Sequence, residues 1–242
     1  MMFCDKFCYK WGSVMRDKKY YEGLVNQLSI EHPFWNSTDI AYEIILQGIL
    51  SCYWKSGEKI PQDQLSSMLD MSRTPIRDAC ARLVDEDYLE RNDKNICQVK
   101  QIKLKDYIDF SEFRQCLEAK AAYLAARNIS DELLLELELN IERFKQAEAA
   151  GDLHRAMQLD NDFHAIIAKA SKNKYLYEAI RSFDRRKTFY LHILVQRPSF
   201  KFVVNKHTAI LNAIRNNDEV LAEKNMISHI DFYIRNIGNV SI

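Results

Sequence analysis

Only six glycines and four prolines interrupt 242 residues, and this scarcity is the strongest constraint on the fold. Left-handed backbone and fixed φ come most cheaply from those two residue types, so tight turns have few places to form. Most long stretches instead repeat apolar residues every three to four positions, the spacing that sets one face of an α-helix against a core. The expected fold class is mostly α. Apolar residues at 47% and charged residues at 28% are ordinary globular values. No apolar run approaches the roughly 18 residues of a membrane span, and charged residues break every apolar patch near the N-terminus, so no secretion signal is legible. A soluble, cytoplasmic protein with no membrane partner is expected.

Six cysteines, at 4, 8, 52, 80, 97 and 116, make no disulfide framework. Reduced thiols are the simpler reading, and Cys4-x3-Cys8 has no second pair nearby to complete a metal site.

The apolar period divides the chain. Residues 1–34 form an extension of mixed charge, aromatic-rich and without a clean period, to which no role is assigned. Residues 35–102 read as a first domain. One helix starts at Ser37-Thr38-Asp39 with Ile40, Ile44, Gly48 and Ile49 on one face. A short one follows from Pro61 to about Leu69, and a third runs from Ser72 to about Asp87 with Ile76, Cys80 and Leu83 inward. The period then changes to two short strand-like runs, Tyr88-Leu89-Glu90-Arg91 and Ile96-Cys97-Gln98-Val99, around the polar turn Asn92-Asp93-Lys94-Asn95. Three helices and a hairpin outline a winged helix-turn-helix. Residues 103–238 read as helices near 104–128, 131–149, 151–171, 173–196, 199–216 and 218–237, an antiparallel all-helical bundle broken at places such as Ala150-Gly151 and Arg197-Pro198.

The front of the third helix carries a candidate DNA-reading set. Arg73 and Arg77 are four apart and share a face, Thr74 lies beside them, and Ser72 is placed to cap. Two guanidinium groups entering a major groove can each bridge O6 and N7 of a guanine, while Lys94 at the hairpin tip reaches backbone or minor groove. The alternative is that Ser-x-Thr-Pro merely opens a helix and the arginines pair with Asp78 or Asp85. From Asn36 to Lys100 there are 8 Lys/Arg against 11 Asp/Glu, a net of −3. A diffuse positive field is therefore excluded, and the cations must act by placement.

The stretch Leu65-Ser66-Ser67-Met68-Leu69-Asp70-Met71-Ser72-Arg73-Thr74-Pro75-Ile76-Arg77-Asp78-Ala79-Cys80-Ala81-Arg82-Leu83 resembles the helix-turn-helix signature of GntR-family regulators, L-A-x-x-L-G-V-S-R-T-P-V-R-E-A-L-x-R-L. The resemblance implies that Ser72, Arg73, Thr74 and Arg77 contact operator DNA and that a homodimer binds a palindromic site. Three family glycines are replaced, in the turn by Asp70, after the third helix by Asp87, and in the wing around Lys94-Asn95. Asp and Asn are the least costly substitutes where φ is positive.

In the second domain the inward stripes carry polar residues. Leu153, Met157, Asp160, His164 and Ile167 share one face, as do Val203, His207, Ile210 and Ile214, and again Ala222, Met226, His229 and Tyr233. A buried carboxylate needs a partner, and imidazole with carboxylate is a common ligand set for Zn²⁺ or Ni²⁺. Each histidine taken alone also fits a hydrogen-bonded core residue. The arrangement resembles the FCD effector domain of the FadR-type GntR branch, together with Glu112-Phe113-Arg114-x3-Glu118-x2-Ala121-Ala122-x-Leu124-Ala125-Ala126 and Phe163-His164-x6-Ser171-x-Asn173-x2-Leu176. By that likeness Asp160, His164, His207 and His229 hold a divalent metal, and a small organic acid completes its coordination. Arg114 and Asn173 either line the same cavity or serve as a salt bridge and a cap. The implied function is a ligand-responsive transcription regulator, more a repressor than an activator. The reading from a different class is a metalloenzyme acting on a small acid or ester, which leaves the N-terminal module unexplained.

Overall fold

The computed structural model describes residues 18–51, 53–194 and 202–237. Cys4, Cys8, Cys52, the Arg197-Pro198 break and most of the N-terminal extension lie outside them. Chain contacts separate two units, one ending at Ile102 and one beginning at Lys103. Among the described residues no helix is long and apolar enough to cross a membrane.

The first unit holds helices α1 (Lys18–Glu31), α2 (Ser37–Leu50), α3 (Gln62–Met68) and α4 (Arg73–Asp85), then strands β1 (Leu89–Arg91) and β2 (Cys97–Val99). Helix α1 corrects the sequence reading of an aperiodic extension. Tyr21, Leu24 and Leu28 are buried at helical spacing, and the helix packs on α2 and α3. Tyr20 and the exposed Ile30 lie off that stripe and obscured it. Helix α2 starts at Ser37 as expected, but its cap is Asn36, one residue before the expected capping run. Asn36 Oδ1 accepts from Thr38 N at 2.8 Å and Asp39 N at 3.1 Å, while Asp39 returns a bond to Asn36 N, a reciprocal capping box. Gly48 is required by a close approach, since a Cβ there would stand 2.3 Å from Trp54 Cζ3.

The hairpin pairs Leu89 with Val99, Glu90 with Gln98 and Arg91 with Cys97. The segment before α3 adds a third edge through Gly57 N to Val99 O at 2.8 Å and Ile60 N to Cys97 O at 3.0 Å. All three substituted glycine positions have left-handed backbone: Asp70 at φ 52°, Asp87 at 65° and Asn95 at 57°. Local bonds replace what glycine would supply. Asn92 Oδ1 accepts from Lys94 N and Ile96 N, each at 3.0 Å, and closes the wing turn, while Asp87 pairs with Lys100.

The second unit is a bundle of α5 (Leu104–Asn128), α6 (Asp131–Ala149), α7 (Leu153–Ala170), α8 (Lys174–Leu194), α9 (Val203–Arg215) and α10 (Glu219–Ile237). Its turns combine a break with a cap. Gly151 at φ 69°, Lys172 at 55° and Asn217 at 53° precede Asp152, Asn173 and Asp218, whose side chains accept from the first free amides of α7, α8 and α10. Helix α5 is central and packs against α7, α8, α9 and α10. Its buried Ala119, Ala121, Ala122, Ala125 and Ala126 let neighbouring helices approach closely. The polar stripes of α7, α9 and α10 thereby converge.

Candidate functional site

In the first unit, α4 turns Ile76, Ala79, Cys80 and Leu83 into the core, leaving Ser72, Arg73, Thr74 and Arg77 exposed on the other face. Ser72 occupies the N-cap position but its side chain makes no capping bond, so its hydroxyl and the first helical amides are free to meet a phosphate. Arg73 pairs at 3.1 Å with Asp63 of α3 rather than with Asp78 or Asp85, and Arg77 lies 3.8 Å from Asp78. All four side chains of these pairs are at least half exposed, which makes them weak and easily exchanged for phosphate or base contacts. Lys94 is exposed at the wing tip.

In the second unit, Asp160, His164, His207 and His229 are all buried and offer ligand atoms within 4.8 Å of one another. Donors about 2.1 Å from a tetrahedral zinc ion stand about 3.4 Å from one another, so side-chain rotations that draw the widest pair in by about 1.4 Å would close the set. Asp160 Oδ1 faces His207 Nε2 at 3.2 Å, but obliquely, and neither atom has a hydrogen-bond partner. His229 Nε2 and His164 Nε2 stand 3.2 Å apart. Buried atoms left in this state are costly, and a shared cation would satisfy them together.

Neighbours hold these rings in place. Phe163 stacks on His207 with centroids 3.7 Å apart and planes 10° from parallel. Glu118 Oε2 lies 2.5 Å from His164 Nδ1. A carboxylate there favours the Nδ1–H tautomer and leaves the lone pair on Nε2, where a metal would need it. Burial holds the His207 imidazole below its ordinary range despite the opposing pull of Asp160, and burial together with the two other rings depresses His229 further. Both are therefore neutral, as ligands must be. Burial alone would raise the Asp160 carboxyl, but the Lys187 ammonium and His207 outweigh it and hold it well below the carboxylate range. Glu118 is held down in the same way by Arg114 and His164 against the effect of burial.

The two expected effector residues have different surroundings. Arg114 is buried next to the cluster and donates from Nε to Glu118 Oε1 at 2.7 Å. Asn173 caps α8, accepting from Tyr175 N at 3.1 Å and Leu176 N at 3.2 Å. Sequence reasoning missed Lys187, whose Nζ donates to Asp160 Oδ2 at 2.8 Å from a buried side chain. The signal was present: Ile180, Phe183, Lys187 and Tyr190 are buried along one stripe of α8. The charged run Asp184-Arg185-Arg186-Lys187 disguised it as a solvated face.

Residues 38–99 match bacterial regulatory proteins of the gntR family, and residues 109–232, half of the chain, match the FCD domain. The chain belongs to the GntR family, in the branch that carries an FCD domain. This GntR regulator is 29% identical over 175 residues to the Nta operon transcriptional regulator of Aminobacter aminovorans, covering 72% of this chain and 82% of that protein. It is also 29% identical over 203 residues to the putative L-lactate dehydrogenase operon regulatory protein of Escherichia coli (strain K12), covering 74% and 77%. The solved structure of E. coli McbR/YncC shares its fold at a TM-score of 0.68 and 21% identity, covering 85% of this chain and 99% of that one. These GntR relatives are transcription regulators rather than enzymes, which sets the metalloenzyme reading aside. The regulator thus pairs a DNA-binding winged helix-turn-helix with a buried Asp/His cluster in its FCD domain.

Proposed function

We propose that this regulator is a homodimeric repressor whose operator affinity is set by a small organic acid bound at a divalent metal, Zn²⁺ or Ni²⁺, in the FCD domain. The observation that carries this reading is the convergence of four buried donors within 4.8 Å, two of them without hydrogen-bond partners. Asp160, His164, His207 and His229 would hold the ion, Glu118 would orient His164, and Arg114 would face the acid. A bound divalent cation supplies a Lewis-acidic position for a carboxylate oxygen. On the DNA side, Arg73 and Arg77 would read base edges, Ser72 and Thr74 would contact phosphate, and Lys94 would touch the flanking groove. The acid regulates only if it binds one domain arrangement better than the other.

Two measurements test this. Metal analysis of protein purified without chelators should find a divalent ion that is lost in His207→Ala and His229→Ala variants. Mobility shifts with DNA from upstream of the protein's own gene should show binding that is weakened by an acid drawn from a panel. A metal content indifferent to both histidine substitutions would overturn the ligand assignment.

A further inference from the structure

The electrical balance of the cluster constrains what can enter it. Among the described residues after Lys103, the fully buried side chains of Asp, Glu, Arg and Lys are two carboxylates, Glu118 and Asp160, and two cations, Arg114 and Lys187. They neutralise one another in pairs, Arg114 with Glu118 at 2.7 Å and Lys187 with Asp160 at 2.8 Å. Asp184, one turn before Lys187, is mostly buried and feels both Lys187 and Arg181; its ion pair with Arg181 at 3.0 Å adds a third neutral pair to the count. The described residues therefore bring no net charge to the interior around the three imidazoles. A divalent cation placed there leaves two positive charges uncompensated in a medium that screens poorly. Without Lys187 the excess would be one charge, and a monocarboxylate would suffice.

A second observation concerns hydrogen bonding. Tyr233 OH is buried and has no hydrogen-bond partner, and Ser111 Oγ is buried beside Tyr107. Ser111 lies one turn before Arg114 on α5. Tyr233 follows His229 by one turn on α10, with ring centroids 5.4 Å apart. Both are hydroxyl donors of the kind that satisfies carboxylate oxygens beyond those bound to a metal.

Building on the metal and organic-acid reading above, we propose that the ligand of this site is a dianion, a short dicarboxylate, with one carboxylate on the cation and the other compensating Lys187 and Arg114. Lys187 is the residue that sets this preference.

The test is calorimetric titration of the zinc-loaded full chain with succinate and with succinamate, its half-amide of the same length and one charge fewer; malonate and glutarate extend the range of chain lengths. Succinate, or the best-fitting dicarboxylate, should bind about tenfold or more tighter than its half-amide, roughly the effect of one charge interaction in a partly screened interior. Lys187→Met should narrow that ratio to within about threefold, while Lys187→Arg, which keeps the charge, should preserve it. Equal binding of the acid and its half-amide to the native protein would overturn the proposal, and so would the absence of binding by any of the three dicarboxylates to protein that retains zinc; in both cases the metal reading stands. Failure to retain zinc at all would instead remove the reading on which the proposal rests.

Discussion

Replacing Lys187 with methionine separates the two cations that the structure and the proposed function assign to Asp160. Both partners of the pair are nearly inaccessible, with side chains 7% and 4% exposed. Methionine keeps most of the length of lysine and deletes its charge, so Asp160 would stay buried without a counter-ion. Removing one partner from a buried pair costs about 3–5 kcal/mol. At roughly 2–4 °C per kcal/mol this lowers the melting point of the helical unit by roughly 6–20 °C. A divalent cation can take over the ammonium's role, contributing about 2.7 kcal/mol at a hundred times its Kd and about 4.1 kcal/mol at a thousand times. With one positive charge fewer nearby, zinc should bind the variant more tightly, so a fixed zinc concentration stabilises the variant more than the native protein. The assay is urea unfolding followed by far-ultraviolet circular dichroism, in chelator and in excess zinc. Tryptophan fluorescence would report on the wrong unit, since Trp11, Trp35 and Trp54 all precede it. The expected result is a large gap between variant and native protein in chelator that shrinks by more than half in zinc. A gap of the same size in both conditions would refute the idea that Lys187 and a metal share Asp160.

Four further outcomes are expected. Arg73→Ala with Arg77→Ala should abolish specific operator binding, at about 1–3 kcal/mol per lost base contact, and leave the melting curve unchanged because both side chains are exposed; retained mobility shifts would count against base reading. Gly48→Ala should destabilise the DNA-binding unit by about 1–3 kcal/mol and change Trp54 fluorescence, because the new methyl would overlap the indole; native stability would show that the ring yields freely. Asp70→Gly should stabilise the same unit by up to about 1 kcal/mol by relieving its left-handed backbone, whereas Asp87→Gly should gain less because it also loses the Lys100 pair. In chelator, stability of the helical unit should fall as pH drops below 6.5. His207 and His229 are held below that value in the folded state, so the unfolded chain takes up protons first. His229→Gln should flatten this fall between pH 7 and pH 5, and an unchanged slope would argue against a neutral imidazole.

The local patterns were legible because they depend on neighbours within a turn or two. The helix bounds near Leu104–Asn128 and Asp131–Ala149 and the wing strands around Asn92–Asn95 follow from period, capping and turn chemistry, and the positive φ at Asp70, Asp87 and Asn95 from the glycines that the GntR signature carries there. So did the inward stripes bearing Asp160, His164, His207 and His229, since an imidazole at an apolar position is visible in one helix at a time. Helix α1 was not, because Tyr20 and Ile30 add apolar residues outside the Tyr21–Leu24–Leu28 stripe and only packing against α2 and α3 selects which face is buried.

What the chain alone determined, then, was which residues sit on which face. Whether three stripes meet at one point depends on how α7, α9 and α10 pack against α5, a matter of side-chain volume across the whole bundle that spacing along the sequence does not encode. The same holds for charge. Lys187 reads as one more cation in a basic run until α8 turns it inward onto Asp160, and Asn173 reads equally as a cavity residue or a cap until its side-chain carbonyl is found capping α8. Long-range electrostatic pairing is decided by tertiary proximity, and only the folded bundle shows that the buried charges among its described residues pair off.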